Sequence, residues 1–522
     1  MTISQVVVLA LSITLTFTAK PYIVPKSPGS PWPLPQFMST SDTQYYIHEE
    51  FQFKSDIDDC DILQKSFQRY YERIRNEGKL LGTLQQPQKG VHSLDIVLKQ
   101  SCVKAVVPDY QMNESYTLDV KDGASSLTAE EVWGALRGME TFAQLIHSKN
   151  SQLVINKTVI SDFPRFQHRG FLIDSSRHFL TKKTIIKHLN AMEINKFNVL
   201  HWHIVDYQAF PYQSKVYPLL SEKGAYNPVT HVYNELDVLE VIEEARIRGI
   251  RVIPEFDTPG HMNSWGVGYP KLLTKSERMD CPADPSTTFI YEFVKNLFNE
   301  VAGQFPDKFF HIGGDEVSYV CWNESQEIKD FMKTSNISSF NELESFYVKK
   351  VINIVNNIPA ENGNRTPIAW QDIFDSGVRP DKDTILAIWK AWTAKIAEIT
   401  AEGYKVILCS PWYLNVISYG IDWPKYYEVD PQDFNGTDAQ KDLVIGGEAS
   451  VWGEYVDSTN LLSRSWPRAS AVAERLWSAE DVKSAALAAP RLENHRCRLI
   501  RNGIAAEPIE AGFCEYEYNE AQ

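Results

Sequence analysis

Between residues 169 and 445 the chain alternates eight short apolar runs with helical stretches, and no other feature constrains the fold as much. The runs are 171–173, 199–205, 251–256, 309–312, 367–370, 385–389, 405–408 and 443–445. Apolar residues at helical spacing lie between several of them, at 182–193, 235–248, 289–302 and 340–354. Short buried strands joined by crossover helices imply parallel pairing. Eight such units predict a closed (β/α)8 barrel, with an open doubly wound sheet as the alternative.

The residues at the C-terminal end of each run favour the barrel. Run one leads into Asp174, Arg177 and His178, and run two carries His201 and His203 before Asp206. Run three gives Glu255, Asp257 and His261, and run four gives Asp315 and Glu316. Later runs end at Trp370-Gln-Asp372, at Trp389, at Trp412-Tyr413-Leu-Asn415, and at Glu448, Trp452 and Glu454. A barrel gathers its active site at the C-terminal ends of all its strands. An open sheet would bring only a few such ends to one crevice.

Ahead of the barrel, residues 36–163 read as a small α+β domain, with strands at 91–98 and 116–120. Thr128-Ala-Glu-Glu131 has the form of a capping box before apolar Val132, Leu136, Met139, Ala143 and Ile146. The proline-rich stretch Pro31-Trp-Pro-Leu-Pro35 reads as an extended lead-in outside the core. The expected division is a leader at 1–19, an N-terminal domain at 20–165, and a barrel with a C-terminal extension at 166–522.

An apolar run at 6–17 followed by Thr18-Ala-Lys is too short to span a bilayer and reads as a signal peptide. No later segment is long and apolar enough to span one. Sequons at Asn113, Asn156, Asn323, Asn336, Asn364 and Asn435 suit a secretory route, with a lysosomal or secreted destination. The chain has 7 cysteines. In an oxidising compartment they suggest three bridges and one spare. Six cysteines allow 15 pairings, so the sequence leaves the pattern open. Nearest-neighbour pairing would join Cys60 to Cys102, Cys281 to Cys321 and Cys497 to Cys514. Cys409 lies in a buried-strand pattern and reads as a core thiol. A net charge of −15 argues against nucleic-acid binding, which needs clustered positive charge.

The octapeptide 309–316, Phe-Phe-His-Ile-Gly-Gly-Asp-Glu, delivers two adjacent carboxylates to a strand end. Gly-Gly-Asp is also a turn signal. Buried charges are costly unless paired or put to use. Carboxylates beside tryptophans suit a sugar ring, and glycoside hydrolysis needs a proton donor and a group that stabilises the oxocarbenium-like centre. Strict strand geometry would aim Asp315 and Glu316 to opposite sides.

The motifs His168-Arg-Gly-Phe, Asp174-Ser-Ser-Arg-His, His201-Trp-His, Glu255-Phe-Asp-Thr-Pro-Gly-His261, His311-Ile-Gly-Gly-Asp-Glu, Pro411-Trp-Tyr-Leu-Asn and Glu448-Ala-Ser-Val-Trp-Gly-Glu454 run in order along the chain. Together they resemble the family 20 glycoside hydrolases, in particular lysosomal-type β-N-acetylhexosaminidases. The resemblance implies an exo-acting retaining enzyme in which the substrate's own 2-acetamido oxygen attacks C1. It implies that Glu316 is the general acid and then base, and that Asp315 orients the acetamido group. Tyr413 is expected to bond the acetamido oxygen. Trp370, Trp389 and Trp452 would wall the pocket, while Arg177, Asn415 and Glu454 would serve the ring. Asp206 and His261 are expected to support Glu316 and keep its pKa high enough to donate a proton. Gly313 and Gly314 are expected to clear space for the acetamido group.

His201 and His203 share a strand face and could pass for metal ligands, although core histidines are commoner. The family needs no metal or other cofactor. Its members form dimers, which implies a homodimer. Val416 departs from members that carry arginine after the same Asn. That departure implies that neutral terminal sugars are handled and leaves sulfated or acidic ones open.

Overall fold

The structure, a computed structural model, describes residues 23–57, 59–78, 90–102, 105–150, 152–278, 280–361 and 363–515. The expected leader lies outside these residues. The first domain is built on strands β1 (Phe37–Ser55), β2 (Gly90–Leu98), β3 (Tyr116–Asp119), β4 (Gly123–Ala129), β5 (His147–Lys149) and β6 (Gln152–Asp162). They pair in the order β1-β2-β4-β3-β6-β5. The long β1 serves two neighbours, running antiparallel to β6 in its first half and parallel to β2 in its second. Phe51 and Phe53 project from β1 onto the helix Val132–Leu145, where Phe51 stacks on Phe142 at 5.6 Å.

Two readings of this region are corrected. Thr128 does not cap a helix; it lies in β4, paired with Val97 and Thr117. The cap position falls to Glu131, whose side chain makes no capping bond. The proline-rich lead-in is also part of the core. Trp32 is fully buried; its indole N–H donates to Ser470 O at 2.8 Å and its backbone N–H donates to Gln144 at 2.6 Å. An indole of that size contributes most where two domains leave a slot for it.

The second domain is a closed parallel barrel of β7 (His168–Asp174), β8 (Val199–Val205), β9 (Arg251–Phe256), β10 (Phe309–His311), β13 (Thr366–Trp370), β14 (Ile385–Ile388), β15 (Val406–Leu408) and β16 (Val444–Val451). A short hairpin of β11 (Pro359–Ala360) and β12 (Gly363–Asn364) precedes β13. Both strand faces are buried, which is why the strands read as nearly unbroken apolar runs. Alternation still sorts them. Leu172, Ile253, Ile368, Ala387 and Ile407 fill the interior, while Phe171, Ile173, Leu200, Trp202 and Val252 pack against the helices.

β16 is longer than its apolar run, because the strand continues through Gly446, Gly447, Glu448 and Ser450. Glu448 is therefore inside the barrel and not at its mouth. Buried charge pairs lock the domains together. Glu114 accepts from Arg137 at 2.8 Å and from Arg169 at 2.6 Å, and Lys196 meets Asp162 at 2.9 Å. Cys60–Cys102, Cys281–Cys321 and Cys497–Cys514 are bridged, and Cys409 is a buried free thiol. Among the sequons, Asn323, Asn336, Asn364 and Asn435 are exposed, and Asn113 and Asn156 are half-buried.

Candidate active site

β10 stops at His311, so Asp315 and Glu316 sit beyond the ladder. Strand alternation therefore does not govern them. Gly313 and Gly314 take positive φ of 70° and 96°, and Glu316 follows at 51°. A glutamate in the left-handed region is a strained conformation of the kind held at functional sites. His261 is in the same region at 53°. Contrary to the sequence expectation, the glycines do not clear room for a ligand. A Cβ on Gly313 would stand 1.7 Å from Asp257 Oδ1, and that oxygen accepts the Gly314 N–H at 3.0 Å. The turn is thus built around Asp257.

The two acids are unequal. Asp315 is buried, whereas the Glu316 side chain is 56% exposed. Between them stands His261, whose Nε2 lies 3.6 Å from Asp315 Oδ2 and 3.6 Å from Glu316 Oε2. Its Nδ1 donates to Asp206 at 3.0 Å. Asp206 also takes His203 Nε2 at 2.7 Å and Arg177 at 2.9 Å. Burial opposes the imidazolium, but Asp315, Asp257 and the bonds to Asp206 and Glu316 carry His261 well above the usual imidazole range.

That cation has a consequence opposite to the sequence expectation. His261, facing it at 3.6 Å, holds Glu316 below its ordinary pKa, against a smaller effect of burial, with Lys390 and Arg177 adding to the pull. An exposed carboxylate facing a cation favours its charged form. Burial and the adjacent Asp315 push Asp257 well above the carboxylate range. Burial also raises Asp315, against the pull of His261 and of the hydrogen bond to Asp257. Both acids of this buried pair are thus harder to ionise than free carboxyls.

Aromatic rings form the facing wall. Trp389 and Tyr413 lie parallel within 2°, their centroids 6.4 Å apart. Trp370 and Trp452 close the box, with Trp452 5.9 Å from Trp370 and 6.2 Å from Tyr413. Trp370 donates to Glu255 at 2.7 Å and Trp389 to Asp372 at 2.7 Å. Burial lifts Tyr413 well above the phenol range, so its hydroxyl stays a donor.

Arg177 packs 5.1 Å from the Trp452 ring centre and bonds Asp174 at 3.0 Å; its buried Nε has no partner. Asp174 is structural: it accepts the backbone N–H groups of Ser176, Arg177 and Gly453. Glu454 is exposed near Arg177, and the Asn415 Oδ1 is buried without a partner.

His201 and His203 point inward onto carboxylates. His201 meets Glu448 at 2.9 Å and Glu255 at 3.0 Å, and His203 meets Glu255 at 2.5 Å. Glu255 thus joins the Trp370 wall to the His203–Asp206–His261 chain. Sequence reading did not single out Glu255 as this hub, nor Lys390 at the rim, where Lys390 pairs with Asp372 at 2.8 Å. The signal available for Lys390 was its place directly after Trp389.

Residues 166–480 match the family model for the catalytic domain of glycosyl hydrolase family 20, and residues 31–145 match the beta-acetyl hexosaminidase like model. The chain belongs to glycosyl hydrolase family 20. It is 45% identical to the beta-hexosaminidase subunit beta of Homo sapiens over 97% of this chain and 94% of that protein. It is 44% identical to the beta-hexosaminidase subunit alpha of Rattus norvegicus, covering 93% of this chain and 95% of that one. Among solved structures, the chitobiase of Flavobacterium johnsoniae superposes with a TM-score of 0.80 at 27% identity, over 91% of this chain and 73% of that chain. In this family 20 chain the two acids stand at the end of the fourth barrel strand, and the remaining site residues come from the other strand ends, as in barrel enzymes generally.

Proposed function

We infer that this chain is an exo-acting β-N-acetylhexosaminidase that removes terminal β-linked GlcNAc or GalNAc with retention of configuration. One observation carries the reading: His261 stands between a buried Asp315 and an exposed Glu316, opposite a box of four aromatic rings. Two acids in such different surroundings suit two different tasks.

Glu316 gives its proton to the leaving glycosidic oxygen while the substrate's acetamido oxygen attacks C1 and the C1–O bond breaks. Asp315 accepts the acetamido N–H and offsets the charge of the oxazolinium ring that forms. The Tyr413 hydroxyl donates to the acetamido oxygen, and Trp370, Trp389 and Trp452 enclose the methyl. Glu316, now a carboxylate, then takes a proton from the water that reopens the ring at C1. Two inversions restore the starting configuration. The free Nε of Arg177 suits a ring hydroxyl, with Glu454 near it, and the unpartnered Asn415 Oδ1 suits another.

The low pKa of Glu316 suits work in an acidic compartment, and three disulfides suit a secretory route to the lysosome or the exterior. No helix among the described residues is long and apolar enough to cross a membrane. The chain acts as a homodimer in this reading. Exposed Ile417, Tyr419, Ile421 and Tyr455 are apolar side chains that such a contact could cover.

Glu316→Gln is expected to cost roughly 10²–10⁴ in rate on unactivated glycosides, and a thiazoline mimic of the oxazolinium ring is expected to inhibit. An unchanged rate, or indifference to the mimic, contradicts the assignment.

A further inference from the structure

At the opposite end of the barrel from the acids, the loop around Tyr110, the start of β10 and the β11–β12 hairpin enclose a cavity of about 640 Å³. That size falls in the range of roughly 300–1,000 Å³ usual for small-molecule sites. Its lining includes Asp109, Tyr110, Lys308, Asn364, Arg365 and Asp381. One aromatic face among charged and amide groups is the composition that suits a sugar. Tyr110 is half-buried, 5.2 Å from the Phe309 ring and 5.6 Å from the Arg251 guanidinium. Arg365 is buried, and its Nε has no hydrogen-bond partner. The rest of that guanidinium donates to the carbonyls of Asp307 and Ala302, and the cavity itself is polar and aromatic.

Asn364 is itself a lining residue and the acceptor of the sequon Asn364-Arg365-Thr366. Its side chain is exposed, on the last residue of β12. We propose that the first sugars of an N-linked glycan on Asn364 occupy this cavity and tie the N-terminal domain's 107–111 loop to the bottom of the barrel. The linkage forms when the Asn364 amide nitrogen displaces the pyrophosphate of a lipid-linked oligosaccharide, giving a glycosylamide and releasing one proton. A ligand tethered at the lip of its own site has an effective concentration of order millimolar, so weak contacts suffice to seat it. Sugar C–H faces pack on Tyr110, and hydroxyls meet Asp109, Lys308 and Asp381. The other exposed sequons, Asn323, Asn336 and Asn435, do not line this cavity.

The test uses the full chain secreted from a eukaryotic host. Site-resolved glycopeptide mass spectrometry is followed by timed treatment of the native protein with a peptide-N-glycosidase. Asn364 is expected to be occupied and to lose its glycan at least tenfold more slowly than the occupied exposed sequons. Tyr110→Ala is expected to bring Asn364 to their rate, with activity unchanged because the active site lies at the other end of the barrel. Hydrogen exchange in residues 107–111 provides a second readout. It is expected to quicken in Thr366→Val, which abolishes the sequon, relative to the glycosylated protein. An unmodified Asn364, release as fast as at the other sequons, or unchanged exchange in 107–111 overturns the proposal. None of these outcomes bears on the hexosaminidase assignment.

Discussion

Asp206 holds the Nδ1–H of His261 at 3.0 Å, and this leaves the opposite nitrogen of His261 3.6 Å from both Asp315 and Glu316. The bond orients the ring, and the acids around it favour its cationic form. His261 is therefore a positioning residue whose charge also sets when Glu316 releases its proton.

His261→Ala is expected to lower kcat by roughly 10²-fold. The alkaline limb of kcat, which reports protonated Glu316, is expected to move to higher pH. His261 holds Glu316 low, so its removal lets Glu316 keep its proton to higher pH. A pH–rate profile of the variant checks both; a limb that stays put or moves to lower pH contradicts the coupling.

Burial and the adjacent Asp315 disfavour the charge of Asp257. Its Oδ1 accepts the Gly314 N–H at 3.0 Å, a bond that an uncharged asparagine can accept as well. Asp257→Asn is thus expected to retain at least tenfold more kcat than Asp257→Ala. Equal losses in steady-state assays of the two variants contradict a protonated Asp257.

The barrel and the mouth of the site were legible because period and residue type agreed: buried parallel strands leave apolar runs, and the chemistry collects where they end. The misses share a physical cause, which is that partners come from distant segments. Glu448 lies within β16, held by hydrogen bonds from His168 at 2.7 Å and His201 at 2.9 Å. Neither contact leaves a local pattern, so the strand seemed to end at its glycines. Trp32 looked like lead-in because the slot that buries it is made by Ser470 and Gln144. Gly313 and Gly314 announced a turn, but the carboxylate they avoid is 56 and 57 positions earlier, at Asp257. Asp315 and Glu316 were found by motif and given different roles by resemblance; their difference in burial, one enclosed and one exposed, was not legible in the sequence.

The domain junction sets acid stability. Glu193 is 1% exposed and bridges Arg69 and Arg73 of the first domain to Arg248 of the second. Those arginines, against the opposing effect of burial, hold it down at about 2. A depressed carboxylate stabilises above its unfolded pKa of about 4.3 and loses that contribution as pH falls through the folded value. Glu193→Gln is expected to cost roughly 3–5 kcal/mol at pH 5–7 by leaving buried arginines unpaired. The deficit is expected to shrink between pH 4 and pH 2, measured by denaturant unfolding across pH. A deficit independent of pH in that interval contradicts the linkage.

Val416 is 50% exposed on the loop that follows Tyr413 and Asn415. A cation there would face a substituent at the rim of the site. Val416→Arg is expected to raise kcat/KM for a 6-sulfated aryl GlcNAc glycoside about tenfold relative to the neutral one, a difference of about 1.4 kcal/mol. Paired assays of the two substrates check it, and an unchanged ratio places Val416 away from the sugar.

Central to this mechanism is the substrate's acetamido oxygen as the nucleophile, managed by Asp315 and received by the aromatic box. The most direct measurement compares aryl glycosides bearing N-acetyl, N-fluoroacetyl, N-difluoroacetyl and N-trifluoroacetyl groups. Each fluorine weakens the amide oxygen as a nucleophile and barely alters the bulk of the group. A steep, stepwise fall in kcat/KM along the series is expected, flattened in Asp315→Asn. A rate indifferent to fluorination in the wild-type chain would mean that the carbonyl oxygen does not attack C1, and would contradict the mechanism.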